Sequence, residues 1–125
     1  MAANRVKVLV VDDEKTLTDS IVLILRARGV IAMGAYDGQT GLEDARRWRP
    51  DLILLDVLLP DANGIDIALQ LRHELPHSQL LLMSGQATTV DLLERAQQQG
   101  HDFEIWAKPF APEELLQRVE QVRAA

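Results

Sequence analysis

The chain has 125 residues, enough for one ordinary domain with its own core and too few for a second of useful size. Its 47% hydrophobic and 26% charged residues are those of a soluble globular domain, and a formal charge of -6 argues against a stand-alone nucleic-acid binder, which needs a basic face to displace counterions. The absence of cysteine excludes disulfides, thiolate zinc sites and cysteine nucleophiles.

Met1 to Arg5 lead into a short apolar segment that meets Asp12, too short for a signal peptide. The most apolar stretches, 52–55 and 80–83, fall far below the ~20 residues of a membrane span, so no membrane association and a cytoplasmic location are expected. The first strand is predicted over 6–11. An amphipathic helix follows, with Leu17, Ile21, Ile24, Leu25 and Arg28 at helical spacing and Gly29 as its stop. Residues 30–35 form a second strand, interrupted by Gly34. The second helix starts at Asp37-Gly38, carries Leu42 and Ala45, and must end before Arg49-Pro50. A third strand at 52–55 precedes a helix with Ile65, Ala68, Leu69 and Arg72 on neighbouring turns, ending before Pro76. A fourth strand at 80–83 leads to a helix opened by Thr88-x-x-Asp91, which carries Leu92, Leu93 and Ala96 and stops at Gly100. The last strand spans 103–107. The last helix begins with Pro112 and Glu113-Glu114 at its positive end, and Leu115, Leu116, Val119 and Val122 supply its buried stripe.

Near-continuous apolar runs of four to six residues suit strands covered on both faces. The alternation predicts an α/β fold, (βα)5, with an open parallel sheet between two layers of helices. In such sheets function sits beyond the C-terminal strand ends, near the point where strand order reverses. Those ends carry Asp12, Asp13 and Glu14, then Asp56, then Ser84-Gly85, then Lys108-Pro109. Carboxylates gathered there repel one another by several kcal/mol at an effective dielectric near ~20, and an all-oxygen donor set calls for a hard divalent cation, Mg2+ or Mn2+. The same groups suit phosphoryl chemistry. An Asp carboxylate can act as nucleophile to form an acyl phosphate, while a cation, the Lys108 ammonium and the Ser84 hydroxyl meet the phosphoryl oxygens. No glycine-rich phosphate loop follows the first strand, so bound nucleotide is not expected.

These residues resemble the receiver domain of two-component response regulators. The matching fragments are Val10-Val11-Asp12-Asp13-Glu14, Pro50-Asp51-Leu52-Ile53-Leu54-Leu55-Asp56 with Pro60 and Gly64 downstream, Met83-Ser84-Gly85, and Lys108-Pro109-Phe110. All stand in order after their own predicted strands, over essentially the whole chain. The resemblance implies a flavodoxin-like three-layer fold with strand order 2-1-3-4-5, filling residues 1–125 as one receiver with no output domain in this chain. It implies that Asp56 accepts a phosphoryl group from a sensor histidine kinase, a phosphotransfer protein or a small phosphodonor. Asp13 and Asp56 would hold Mg2+ directly, Asp12 mainly through water, and the Leu58 backbone carbonyl would be a further ligand. Ser84 would be the hydroxyl that moves to the phosphoryl group and Lys108 its cationic partner, with a cis Lys108-Pro109 bond aiming the ammonium inward. Signalling to a downstream protein, and dimerisation, would use the fourth helix, fifth strand and fifth helix.

Two departures stand out. The position three before Lys108, usually aromatic in this family, is Ile105. Either coupling runs without that ring or a one-residue insertion between Gly100 and Lys108 gives the part to Trp106; strand alternation favours a core Trp106. Position 58 is Leu where relatives often carry a polar side chain, and Gln86 lies two past Ser84. Glu14 reads as a solvated first-turn acid, His73, His77 and His101 as surface residues, and the 46–49 run as a solvated helix end with Trp48 partly packed. Two other readings compete. A metal-dependent aspartyl phosphatase is disfavoured because the acid pair is adjacent and the acceptor follows the third strand. A docking module of receiver fold that is never phosphorylated is disfavoured by the complete set of Asp12, Asp13, Asp56, Ser84 and Lys108. The chain is therefore expected to act only on its own aspartate, not as an enzyme with external turnover.

Overall fold

A computed structural model describes residues 5–85, 89–98, 100 and 102–124. Ten elements alternate along the chain: β1 (Lys7–Val11), α1 (Lys15–Ala27), β2 (Ile31–Ala35), α2 (Gly38–Trp48), β3 (Leu52–Asp56), α3 (Gly64–Glu74), β4 (Gln79–Ser84), α4 (Thr89–Gln98), β5 (Glu104–Ala107) and α5 (Pro112–Ala124). The strands pair in parallel in the order β2-β1-β3-β4-β5, the flavodoxin-like α/β arrangement. The predicted (βα)5 succession is therefore the observed one, with strand ends moved by one residue or so. The proposed Thr88 cap, Gln86 and His101 lie outside the described residues.

Strand pleating divides the core in two, because successive side chains point to opposite faces. Val8 and Val10 of β1, Leu52 and Leu54 of β3, and Leu81 and Met83 of β4 pack with Ile21, Val22 and Leu25 of α1 and with Leu115 and Val119 of α5. Leu9, Val11, Ile53, Leu55 and Leu82 face the other way, against Leu42 and Ala45 of α2, Ile67, Ala68 and Leu71 of α3, and Ala96 of α4. β3 is buried on both faces along its whole length, which is why it reads as an unbroken Leu-Ile-Leu-Leu run.

Local chemistry sets the helix ends. Asp37 caps α2 by accepting the Thr40 N–H at 2.7 Å, and Asn63 caps α3 through the Ile65 N–H at 2.8 Å. Gly29 and Gly100 adopt φ of 81° and 85° just past α1 and α4, a conformation that favours glycine. Gly64 has a steric duty instead. A Cβ there would collide with the Asp56 carbonyl oxygen and lie 2.8 Å from Val57 Cα, so only glycine lets α3 start this close to the end of β3.

β5 sets the two candidate residues on opposite faces of the sheet. Ile105 packs on the α2–α3 side of the sheet, whereas Trp106 faces the α1–α5 side, its ring meeting Phe110 edge-on at 5.3 Å. Trp106 is a packing residue on the opposite face from Ile105, and its Nε1–H donates to Glu104 at 3.2 Å.

Candidate functional site

Because the chain steps from β1 outward to β2 and then back across β1 to the central strand β3, strand order reverses between β1 and β3. Asp12 follows β1 directly and Asp56 ends β3, so both stand at that reversal. One carboxylate oxygen from each of Asp12, Asp13 and Asp56 lies within 4.8 Å of the others. Asp12 is fully buried and Asp56 is 6% exposed, while Asp13 is open to solvent.

Lys108 stands directly past the end of β5, and its peptide bond to the following Pro109 is cis. Its Nζ donates to Asp12 Oδ2 at 2.9 Å and to Asp56 Oδ2 at 3.1 Å, and it stands 3.5 Å from Glu14 Oε1. Glu14 is exposed, as expected of a solvated acid, but it occupies the cap position of α1 rather than the first turn, with its side chain at the edge of Lys108. Asp12 also accepts the Glu14 N–H at 3.0 Å through Oδ1, and Asp56 Oδ1 accepts the Leu58 N–H at 3.3 Å. Ser84 ends β4, is buried, and its backbone oxygen accepts the Lys108 N–H at 2.9 Å. Leu58, the second residue of the β3–α3 loop, has 42% of its surface exposed.

The electrostatics are those of an acid cluster with too little positive charge. Two ionised carboxylates 4.8 Å apart repel by about 3 kcal/mol at an effective dielectric near ~20, and Lys108 is the one cation bonded to them among the described residues. Burial, and then the charge of Asp12, push the Asp56 carboxyl up to about 6, with Lys108 pulling the other way. Burial alone would favour neutral Lys108, but its bonds to Asp12 and Asp56 outweigh that and hold the ammonium well above its ordinary value. The donor set is entirely oxygen, two of its three carboxylates are desolvated, and one side is open through Asp13. Such a set fits a hard divalent cation that keeps several waters.

Two supporting residues escaped the sequence reading. Thr18 is fully buried in α1, and its hydroxyl donates to the Asp12 backbone oxygen at 2.8 Å, bracing the turn that presents Asp12 and Asp13. Its signal was a polar residue at the buried spacing of Ile21, Val22 and Leu25. Asp61 bonds two amides of α2 from the β3–α3 loop, and nothing within its own neighbourhood marked that contact. Beside Lys108 an apolar cavity of about 440 Å³ opens between α1 and α5, lined by Leu17, Ile21, Ile24, Phe110 and Leu115 and rimmed by Glu14 and Ser20. No helix among the described residues is long and apolar enough to cross a membrane.

A family profile for the response regulator receiver domain matches residues 8–120. Among curated proteins, a probable transcriptional regulatory protein, TcrX of Mycobacterium tuberculosis, is 39% identical over 114 residues, covering 91% of this chain and 48% of that protein. The DNA-binding response regulator MtrA of Mycolicibacterium smegmatis is 35% identical over 119 residues, covering 95% of this chain and 51% of its own. The chain thus spans about half the length of these curated relatives. Among solved structures, a Francisella response regulator receiver domain superposes with a TM-score of 0.81 at 26% identity, covering 96% of this chain and 98% of that one.

Proposed function

The chain belongs to the response regulator receiver family of two-component systems, and on that premise we propose that it is a phosphorylatable switch with Asp56 as the acceptor. The observation that carries this reading is the meeting of Asp12, Asp13 and Asp56 within 4.8 Å, with Lys108 bridging Asp12 and Asp56. An Asp56 carboxylate oxygen attacks the phosphorus of a phosphohistidine on a sensor kinase or phosphotransfer protein. The N–P bond breaks, the imidazole leaves and takes up a proton, and an acyl phosphate forms on Asp56. A carboxyl that titrates at about 6 is mostly ionised at neutral pH and so is ready as the nucleophile. Lys108, held protonated, turns from Asp56 Oδ2 to the new phosphoryl oxygens, and the Ser84 hydroxyl at the neighbouring strand end donates to another. Mg2+, or Mn2+, held by Asp12, Asp13, Asp56 and the Leu58 carbonyl, would supply the remaining positive charge for the transferred group.

The cavity between α1 and α5 adjoins Lys108 and gives an approaching donor protein an apolar seat beside the acceptor. Phosphorylation then biases the surface of α4, β5 and α5, through which a downstream protein or a second copy is engaged. With no aromatic at position 105, that coupling runs through Ile105, which packs on the α2–α3 side of the sheet. The chemistry is confined to the chain's own aspartate rather than an external substrate.

Intact mass after incubation with acetyl phosphate tests the reading. The parent should gain one phosphate in Mg2+ and none in EDTA, and Asp56→Ala should gain none. A parent that stays unmodified in Mg2+ would leave the docking-module reading as the better one.

A further inference from the structure

Asp61 sits at the tip of the β3–α3 loop, in the turn closed by the Leu59 N–H to the Ala62 oxygen at 3.2 Å. Its two carboxylate oxygens accept the first two amides of α2: Gly38 N–H at 2.7 Å and Gln39 N–H at 3.0 Å. These amides hold its carboxyl below the usual range although the residue is exposed. The helix already has a local cap in Asp37, which takes the Thr40 amide. The N-terminus of α2 therefore has two carboxylates, one from its own turn and one delivered by a loop 22 to 23 residues further along the chain.

Close approach is built into this contact. A Cβ at Gly38 would lie 2.7 Å from Ile67 Cδ1 and 2.9 Å from Ala62 Cβ, so glycine lets the loop seat against the helix end. At its base the same loop is closed by the Gly64 N–H to the Val57 oxygen at 2.7 Å, with Leu58 opposite Asn63. The two hydrogen bonds of that small hairpin come from flanking peptides, and the Leu58 N–H turns instead to Asp56 Oδ1. Leu58 thus stands in a hairpin held at its base by β3 and at its tip by α2.

We propose that Asp61 is a positioning residue: by clamping residues 57–63 to the N-terminus of α2, it sets where the Leu58 carbonyl stands relative to Asp12, Asp13 and Asp56. This rests on the metal-site reading given under Proposed function. A plain helix-capping role would make Asp61 and Asp37 equivalent, and the test turns on that difference.

Mg2+ binding to the full chain is measured by calorimetry in the parent, Asp61→Ala, Asp61→Asn and Asp37→Ala. Asp61→Ala should weaken Mg2+ binding by roughly tenfold, as loss of a residue supporting a ligand does. Asp61→Asn keeps an acceptor and should recover most of that loss, while Asp37→Ala should bind Mg2+ like the parent. In metal-free protein, amide exchange at Leu59 and Gly64 should quicken in Asp61→Ala and not in Asp37→Ala. Unchanged affinity or unchanged exchange in Asp61→Ala, or equal losses in the two alanine variants, would overturn the inference. A parent that binds no Mg2+ defeats the metal-site reading, and the positional role with it, whereas a parent that binds while Asp61→Ala behaves identically defeats the inference alone.

Discussion

Replacing Asp56 by asparagine should make the metal-free protein more stable, although it removes the proposed acceptor. In the folded chain the carboxyl titrates at about 6 rather than at 3.8, raised by burial and by Asp12. A shift of about 2 units at ~1.4 kcal/mol each makes the ionised form of Asp56 cost at most about 3 kcal/mol of folding stability. The folded state binds this proton more tightly than the unfolded one. The penalty is therefore full above pH 6, shrinks as pH falls from 6 towards 3.8, and vanishes below that. The substituted amide escapes it but offers one oxygen where the carboxylate serves both the Leu58 N–H and Lys108, so a net gain of ~1–2 kcal/mol is expected. Urea unfolding of parent and Asp56→Asn in EDTA, at pH 8, 6.5, 5 and 4, isolates the effect, since every other titrating group is common to both. Asp56→Asn should be the more stable at pH 8, and the difference should close by about pH 4. Mg2+ at about a hundred times its dissociation constant would stabilise the parent by ~2.7 kcal/mol and reverse the order. A parent at least as stable as Asp56→Asn at pH 8 in EDTA, or a gap that ignores pH, would refute the reasoning.

Three further changes probe the frame around the acids. Thr18→Val keeps the shape but removes the buried hydroxyl that donates to the Asp12 backbone oxygen, and should cost about 1–2 kcal/mol in urea unfolding together with weaker Mg2+ binding. Gly64→Ala places a methyl against the Asp56 carbonyl oxygen and Val57 Cα, and should lower the melting temperature by at least about 10 °C or prevent folding. Leu58→Asn puts a polar side chain at an exposed position beside Asp56, where it can orient water. The phosphorylated protein should then lose its phosphate faster than the parent, read as intact mass against time, and equal rates would remove any part for position 58.

Much of the architecture was legible from local pattern. Five short apolar runs alternating with helical spacings define (βα)5, because strand and helix periods differ and a parallel strand covered on both faces is apolar along most of its length. Helix ends were legible for the same kind of reason: Asp37, Gly29, Gly100 and Pro112 act on amides, carbonyls or dihedrals within a few residues of themselves. The acids and lysine were legible because a charged residue closing an apolar strand has no packing reason to be there. Whether Trp106 or Ile105 faced the α2–α3 side depended on the register of β5, which pairs Trp106 with Met83.

By itself, then, the sequence determined the order of elements, several of the helix ends, the two-faced burial of β1, β3 and β4 and the types of chemical group at the strand ends. Tertiary structure alone decided that Lys108 bonds Asp12 and Asp56, 96 and 52 residues away, that Thr18 braces Asp12, and that Asp61 reaches α2. The physical reason is range. Periodicity and capping act over one or two turns of chain, whereas an ion pair or a close approach at Gly38 or Gly64 exists only once the sheet has brought distant strand ends side by side.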